Sequence, residues 1–586
     1  MILQALNELY DRLAGDAAYE IAPPGFSPQK ISFRIVLEAD GTLHDIQDAR
    51  TPDERGRPQN TVMLVPGEAK PSGSGINPGL LWDNQTYLLG RQPEDKPAGF
   101  GEKRFEALRQ RHLELEKTIE DPGFSAVCRF LEQWDPVRIA EYPRLNEVGT
   151  GFGIFGIRGE KRAVHESKKV QEWWRGTLEK GGEGDQEAEQ CLVTGSMSSP
   201  ARLHPKIKGV TGSQAAGASL VSFNAAAYES YGKTQSFNAP VSGEVAFQYG
   251  TALNSLLTGP QAKKHRLRIG DTTAVFWTEK RTLLEDLLAD VFSGGSQAVE
   301  ETQDATRRDQ MRHLLEAVRS GGGYVEQGES ETPFFILGLA PNAARVSIRF
   351  FHRSTTADLL EKLHEHHRCI EMVRQFTEPI GKRFADPAFP AIWQILRETA
   401  RVADEIPPLL GGALTRAIVE GTSYPEGLFS AVIRRIHADR TINYLRSATL
   451  KAVLVRNHQI DIPVMLDPEN TDPPYRLGRL FAVLEKTQED ALGPINAGIR
   501  EKFYSSASAT PASVFPRILR TYQHHLAKLN GGAKLNRERL IQDVLAGLDG
   551  RGFPNQLSLK NQGIFAIGYY HQRKDFFTKK EGNKGD

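Results

Sequence analysis

Apolar residues recur with a period of two along much of the first two-thirds of the chain and at helical spacing in the last third. MILQALNELYDRLAG reads as an amphipathic helix. ISFRIVLEADGTLHDIQD reads as a hairpin turning at Asp40-Gly41, and TVMLVPGEAK as a further strand before the Gly/Pro-rich loop PSGSGINPG. The spacing predicts a helix over Arg104–Lys117 and a strand at GFGIFGIRG. HRLRIGDTTAVFWTEK predicts a hairpin turning at Gly270-Asp271, followed by a helix over Thr282–Phe292. FFILGLAP and ARVSIRFFHR form a last hairpin linked by Pro341-Asn342, and a helix follows over Thr356–Met372.

After about Pro390 the strand pattern stops. Leu428, Val432 and Ile436, then Leu445, Leu450 and Leu454, then Leu477, Phe481 and Leu484 fall at helical spacing. Pro407-Pro408, Pro473-Pro474, Pro494 and Pro511 punctuate these helices. The expected fold is α+β: a mixed domain of antiparallel strands and hairpins over residues 1–390, then an all-α bundle over residues 391–586. No internal repeat is visible. Gly181–Gly184 and the tail KKEGNKGD read as solvated loop and frayed terminus.

Bulk composition narrows the class without naming a function. Lys plus Arg and Asp plus Glu both number 73 in 586 residues, so a wholesale polyanion-binding charge is excluded. The N-terminus carries acids among its apolar residues and lacks a basic leader, unlike a signal peptide. No run approaches 18 apolar residues, so no membrane association is expected. Cys128, Cys191 and Cys369 are scattered singly with no CxxC, which suits a reducing compartment; the expected location is the cytoplasm.

Local charge changes the picture. From Ala201 to Gly270 there are eight Lys or Arg against two Glu. Within this run, Lys206 to Asn254 is rich in Gly, Ser, Asn, Gln and aromatics. Such residues bring backbone close to a ligand, read polar base edges and stack. The candidate DNA readers are Lys70, Ser72 and Asn77 in the loop Pro66–Asn84, with Ser74 beside them, and Ser213, Gln214 and Asn224 in the central run. Phe223, Tyr228 and Tyr231 are candidates for a stacking element or wedge, with burial in a core as the alternative. Lys206, Lys208, Lys233, Lys263, Lys264, Arg266 and Arg268 are candidate phosphate contacts. In the bundle, Arg434, Arg435, Arg440, Arg446, Lys451 and Arg456, followed by Arg500, Lys502, Arg517, Arg520 and Lys528, could track a single strand; their alternative is a solvated surface.

Other motifs compete. Gly151-x-Gly153-x-x-Gly156 matches a dinucleotide fingerprint, which needs a strand before it and a helix after it; charged sequence follows instead. Gly232-Lys233-Thr234 resembles the end of a phosphate loop, but Ala227 stands where its first glycine belongs. His364, His366 and His367 beside Cys369 are not HExxH, and consecutive helical positions diverge, so a solvated helical face is expected rather than a metal. Glu172, Glu229 and Glu244 are isolated surface acids. No catalytic constellation stands out, and neither a cofactor nor a metal is expected.

Several runs carry a resemblance: MILQALNELYDRL, PGFSPQKISFRIVLEADGTL, GLLWDNQTYLLG, CLVTG and HPKIKGVTGSQAAGASLVSFNAAAYESYGKTQSFNAPVSGEVAFQYGTALNSLL, then LKAVLVRN, YRLGRLFAVLEKTQ and EKFYSSASATPASVFP. Over nearly its whole length the chain resembles the large subunit of the type I-C CRISPR surveillance complex (Cascade). The resemblance implies a non-catalytic subunit that recognises the protospacer-adjacent motif in duplex DNA and assists local unwinding and R-loop formation. It also implies support of the displaced strand by a C-terminal part similar to the small subunits. The implied partners are target DNA, guide RNA, the handle-binding, backbone and small subunits, and a transient helicase-nuclease. In such a family the small subunit can be translated from inside the gene. Met465 is a candidate internal start, and a C-terminal product of about 120 residues (Met465–Asp586) co-purifying with the complex is the expected sign. Two other classes remain open: a nucleotide-binding enzyme using either glycine motif, and a purely structural scaffold.

Overall fold

The structure, a computed structural model, describes residues 1–53, 56–67, 75–148, 151–179, 188–294, 305–321, 329–379, 384–493, 497–548 and 552–578. The fold is α+β, with sheets toward the N-terminus and helices toward the C-terminus. Contacts divide the chain into Met1–Lys206 with Val221–Leu253, and Ile207–Leu220 with Asn254–Asp586. This division does not fall at residue 390. One apolar core in the second unit runs from Leu267 in the sheet to Tyr570 in the bundle, so a change of texture along the sequence does not end a core.

The first unit opens with helix α1 (Ile2–Ala14), whose Leu6, Leu9, Tyr10 and Leu13 are buried. The Tyr10 hydroxyl donates to the Ala22 carbonyl at 2.9 Å. Strand β1 (Phe26–Leu37) is the centre of the sheet. It pairs antiparallel with β2 (Leu43–Asp48) and β3 (Thr61–Pro66), and in parallel with β5 (Phe152–Ile157); β5 in turn pairs with β4 (Trp82–Asn84). The β1–β2 turn is where the sequence places it. Gly41 has φ +94°, and a Cβ there would lie 2.6 Å from Arg129 Cβ, so backbone and packing both select glycine. Arg129 belongs to α3 (Pro122–Gln133), which covers the sheet together with α2 (Phe100–Glu116).

The glycines of GFGIFG are space-makers. A Cβ at Gly151, Gly153 or Gly156 would overlap the Ser32 hydroxyl, the Phe33 ring or the Arg34 guanidinium of β1. Arg34 then donates to the carbonyls of Glu160, Lys161 and Arg162 at 2.9, 3.1 and 2.8 Å. A turn and the 3-10 turn Val164–Glu166 follow β5, without the helix a dinucleotide fingerprint requires.

Helix α4 (Gly243–Thr258) contains the division at Leu253. The second sheet runs in the order β6 (Lys206–Ile207), β7 (Ala218–Ser219), β11 (Arg345–Thr355), β10 (Pro333–Asn342), β9 (Thr272–Thr278), β8 (Arg266–Ile269). Asn342 pairs with Arg345, so the β10–β11 turn is Ala343-Ala344, two residues later than expected; Ala343 takes φ +51°. Helices α5 (Leu283–Gly294) and α7 (Thr356–Ile370) pack with this sheet, and α6 (Ala305–Ser320) packs against both of them.

The bundle comprises α8 (Pro408–Glu420), α9 (Glu426–Asp439), α10 (Tyr444–His458), α11 (Pro473–Leu492), α12 (Ile499–Ala509), α13 (Pro511–Leu526), α14 (Gly531–Ala546) and α15 (Leu559–Asp575). Proline occupies the first turn of α8, α11 and α13, where its missing N–H costs nothing. Asn443 and Ser558 cap α10 and α15 by accepting from Arg446 and Asn561 N–H. Of the nine apolar residues that define the pattern, eight are buried and Leu445 is half-buried.

Burial lowers the pKa of several imidazoles: His112, His165, His204 and His367 to about 4, and His366 and His571 to about 3. The unfolded chain therefore binds protons near pH 6.5 that the folded chain refuses. Stability should fall steadily as pH drops from about 6.5 toward 4, by up to about 1.4 kcal/mol per pH unit for each such histidine. Urea midpoints at pH 7.5 and 5 read this directly; equal midpoints would contradict it.

Candidate nucleic-acid interface

Of the loop residues expected to read DNA, Lys70, Ser72 and Ser74 lie outside the described residues. Asn77 is exposed, and its backbone N–H donates to the Tyr87 hydroxyl at 3.1 Å. The loop is tied at its origin, where the Trp82 indole N–H donates to the Pro66 carbonyl at 2.7 Å.

The central run divides between the two units. Ser213 and Gln214 belong to the second. Gly212 and Gly217 take φ +80° and +90°, shaping consecutive turns that leave Gln214 exposed. The Ser213 hydroxyl donates to the Val210 carbonyl at 2.7 Å, and its donor is thereby used locally. Thr211 N–H donates to Thr273 Oγ1 at 3.0 Å, and Thr273 pairs across the β8–β9 hairpin with Arg268. The Gln214 turn and Arg268 thus share one end of the sheet. Strand β8 is an edge strand that buries Leu267 and Ile269 and turns Arg266 and Arg268 outward. Lys208 joins them at the end of α4: its N–H donates to Asn254 Oδ1 at 2.8 Å, while Arg266 donates to the Leu257 carbonyl at 2.7 Å. Lys263 is exposed, whereas Lys264 pairs with Asp286 at 3.3 Å. The second unit therefore gathers Gln214 with Lys208, Arg266 and Arg268.

Asn224, Phe223, Tyr228, Tyr231 and Lys233 belong to the first unit, and Lys206 ends that unit's first segment, exposed. The three aromatics differ. Phe223 is half-buried, Tyr228 is 48% exposed in a 3-10 turn, and Tyr231 is fully exposed. Tyr231 and Gly232 are the central residues of a turn closed by Lys233 N–H donating to the Ser230 carbonyl at 3.0 Å, with φ +55° and +70°. A tyrosine in the left-handed region is strained by about 1–2 kcal/mol, and here no burial compensates it. Lys233 pairs with Glu189 at 2.6 Å, so its charge is matched within the protein. A 3-10 turn (Gln235–Asn238) follows Thr234, not the helix of a phosphate loop.

The bundle cations separate sharply. Arg446 is 6% exposed and bonds Glu398 Oε2 at 2.7 Å, Asp439 Oδ2 at 2.6 Å and the Thr441 carbonyl at 2.9 Å. Lys451 is 3% exposed and donates to the Glu371 carbonyl at 2.7 Å; burial lowers its pKa. Arg456 donates to the Ala417 carbonyl and lies over the Tyr424 ring at 4.3 Å. These three leave the set of strand contacts, because their charges are consumed in the core. Arg435 and Arg500 are half-buried in ion pairs with Asp439 and with Glu485 and Glu501. Arg434, Arg440, Lys502, Arg517, Arg520 and Lys528 are exposed.

Three of these share a face that sequence reading left incomplete. Arg517, Arg520, His524 and Lys528 recur at spacings of three and four along α13 and its end, all exposed, and no acid occurs from Pro511 to Asn530. Arg517 rests over the Phe503 ring of α12 at 5.4 Å. The missing signal was His524, which a count of Lys and Arg passes over.

The histidines of LHEHHRC do not form a solvated face. His364 bonds the Val318 carbonyl at 2.7 Å, His366 bonds the Tyr424 hydroxyl at 2.6 Å, and His367 stacks on Phe389 at 4.5 Å. A helix residue, Val318, and two loop residues, Tyr424 and Phe389, each engage one imidazole separately.

A family model described as CRISPR-associated protein (Cas_Csd1) matches residues 6–577. The chain belongs to the Cas_Csd1 family of CRISPR-associated proteins. No curated protein matches it. Among the described residues of this family member, no helix is long and apolar enough to cross a membrane.

Proposed function

We propose that this Cas_Csd1 chain is the non-catalytic large subunit of a type I-C RNA-guided surveillance complex. In this reading it recognises the protospacer-adjacent motif in duplex DNA and helps open the first base steps. It then supports the displaced strand and the arrival of a separate helicase-nuclease. Its partners are the guide RNA and the handle-binding, backbone and small subunits, in the cytoplasm. Protein groups read the motif and hold phosphates, and guide pairing reads the rest of the target.

The observation that carries the reading is Tyr231: a fully exposed aromatic held at φ +55° on the tip of a tight turn, within the stretch Ala201–Gly270 that holds eight Lys or Arg against two Glu. Strain retained without burial points to a ring presented outward, and an inserted ring offsets the few kcal/mol of unstacking that opening a duplex requires. Gln214 and Asn224, both exposed, supply amides for base edges, and Lys208, Arg266 and Arg268 supply phosphate contacts. The α13 face suits a single strand.

Tyr231→Gly should therefore move stability and binding in opposite directions. Removing the strain leaves the fold unchanged or more stable by about 1 kcal/mol. Removing the ring weakens binding of motif-bearing duplex by roughly 1–3 kcal/mol, the scale of one base–aromatic stack. Gln214→Ala and Asn224→Ala should lose roughly 1–3 kcal/mol of motif discrimination while complex assembly survives. Unchanged affinity in all three variants would remove these residues from the reader.

Met465 suits an internal start. It is 62% exposed between α10 and α11, and the residues after it are fastened to the helices that follow. Asp467 N–H donates to the Tyr475 hydroxyl at 3.2 Å, and Arg479 donates to the Pro468 carbonyl at 2.9 Å. A product beginning at Met465 carries its own N-terminal anchors.

A further inference from the structure

We infer that His112, on α2, is a positioning residue that fixes the segment Asn77–Asn84 for contact with DNA; the inference rests on the reading of Asn77 as a base contact. Leu81 is fully buried, yet it takes φ +62°, a conformation disfavoured for any residue with a Cβ. Its N–H points at His112 Nε2, 3.0 Å away. The other ring nitrogen, Nδ1, lies 2.8 Å from the Leu108 carbonyl, which can only accept. The proton therefore sits on Nδ1, and Nε2 is left as the acceptor that Leu81 requires. The ring is held flat against Phe124 at 5.7 Å and is fully buried, which keeps it neutral.

The same segment is clamped at Asn77 and at the two residues that follow it. The Tyr87 hydroxyl accepts from Asn77 N–H, Asp83 Oδ2 accepts from Gly79 N–H at 2.8 Å, and Arg111 donates to the Pro78 carbonyl. Side chains satisfy these backbone groups, so Asn77–Leu81 holds one shape ahead of strand β4, and Asn77 stays at the surface. Fixing a reader before it meets its base reduces the ordering cost of binding.

The test uses the full-length chain, free for amide hydrogen exchange and assembled with its guide for DNA binding. His112→Phe keeps the ring and removes the acceptor; His112→Gln restores an oxygen near Nε2. The expected result is faster exchange at Leu81 in His112→Phe, by about tenfold, the worth of one such hydrogen bond. Preference for motif-bearing over motif-free duplex should fall with it, and His112→Gln should recover both. Tyr87→Phe, which removes only the oxygen beside Asn77, carries the same test should His112→Phe fail to fold: faster exchange at Asn77 and weaker motif preference. Unchanged exchange in these variants, or a Gln variant no better than Phe, overturns the positioning role. Faster exchange with full motif preference overturns instead the reading of Asn77, leaving the pin itself intact.

Discussion

Gly478→Ala is expected to destabilise the bundle by roughly 2 kcal/mol or more, although alanine is the better helix former by about 1 kcal/mol. Gly478 lies on α11 where that helix crosses α15, and an added Cβ would overlap the Phe565 carbonyl oxygen. Gly568 on α15 meets the Tyr475 carbonyl of α11 in the same way. Backbone, unlike a flexible side-chain tip, cannot swing aside, so the helices must separate and the packing around Phe481, Tyr504 and Phe565 loosens with them. Gly568→Ala should cost a similar amount. The double variant should cost less than the sum, because the first substitution already opens the crossing. Gly531→Ala and Gly532→Ala on α14 meet open space and should be neutral or stabilising. Amide exchange along α11 and α15 localises the effect; unchanged protection in Gly478→Ala would contradict the close crossing.

Arg446→Ala carries the second large effect. Its guanidinium joins Glu398 and Asp439 beside the start of α10, and Asn443 completes the group by donating to Glu398 at 3.0 Å. Removing the cation leaves two partly buried carboxylates without it, a loss of about 3–5 kcal/mol for a fully buried pair and toward the lower end here. Arg517→Ala and Arg520→Ala should behave in the opposite manner. Stability should stay within about 0.5 kcal/mol, while the salt dependence of single-strand binding falls by roughly 0.7 in slope for each phosphate no longer neutralised. Thermal unfolding and single-strand titration of the three variants separate structural from ligand-facing cations. A stable Arg446→Ala with weakened strand binding would reverse the assignment.

The contrast between Arg446 and Arg517 shows where sequence reading stops. Both are arginines on helices of the bundle, and composition treats them alike. Only the tertiary arrangement places carboxylates from Glu398 and Asp439 around one and leaves the other on a face without acids. Features written locally were legible: the Asp40-Gly41 turn, the Gly270-Asp271 turn, the apolar spacing of Leu477, Phe481 and Leu484, and the prolines that open α8, α11 and α13. Features that depend on distant partners were not. The parallel pairing of β1 with β5 joins residues some 120 positions apart, and the glycines of GFGIFG make sense only once Phe33 and Arg34 lie across them. The division at residue 390 followed a change of periodicity, whereas Leu267 to Tyr570 form one core. At the candidate interface, composition only proposes the stretch. The backbone then distinguished Tyr231 at its tip from Phe223 and from the ion-paired Lys233.

The most direct test of the central claim is DNA binding by the assembled RNA-guided complex, measured on motif-bearing and motif-free duplexes across a range of salt. A motif reader with phosphate contacts predicts tighter binding to the motif-bearing duplex at every salt concentration. Affinity should fall as salt rises, with a slope of about 0.9 per phosphate engaged. Equal affinity for the two duplexes throughout would contradict the account and leave the chain a scaffold.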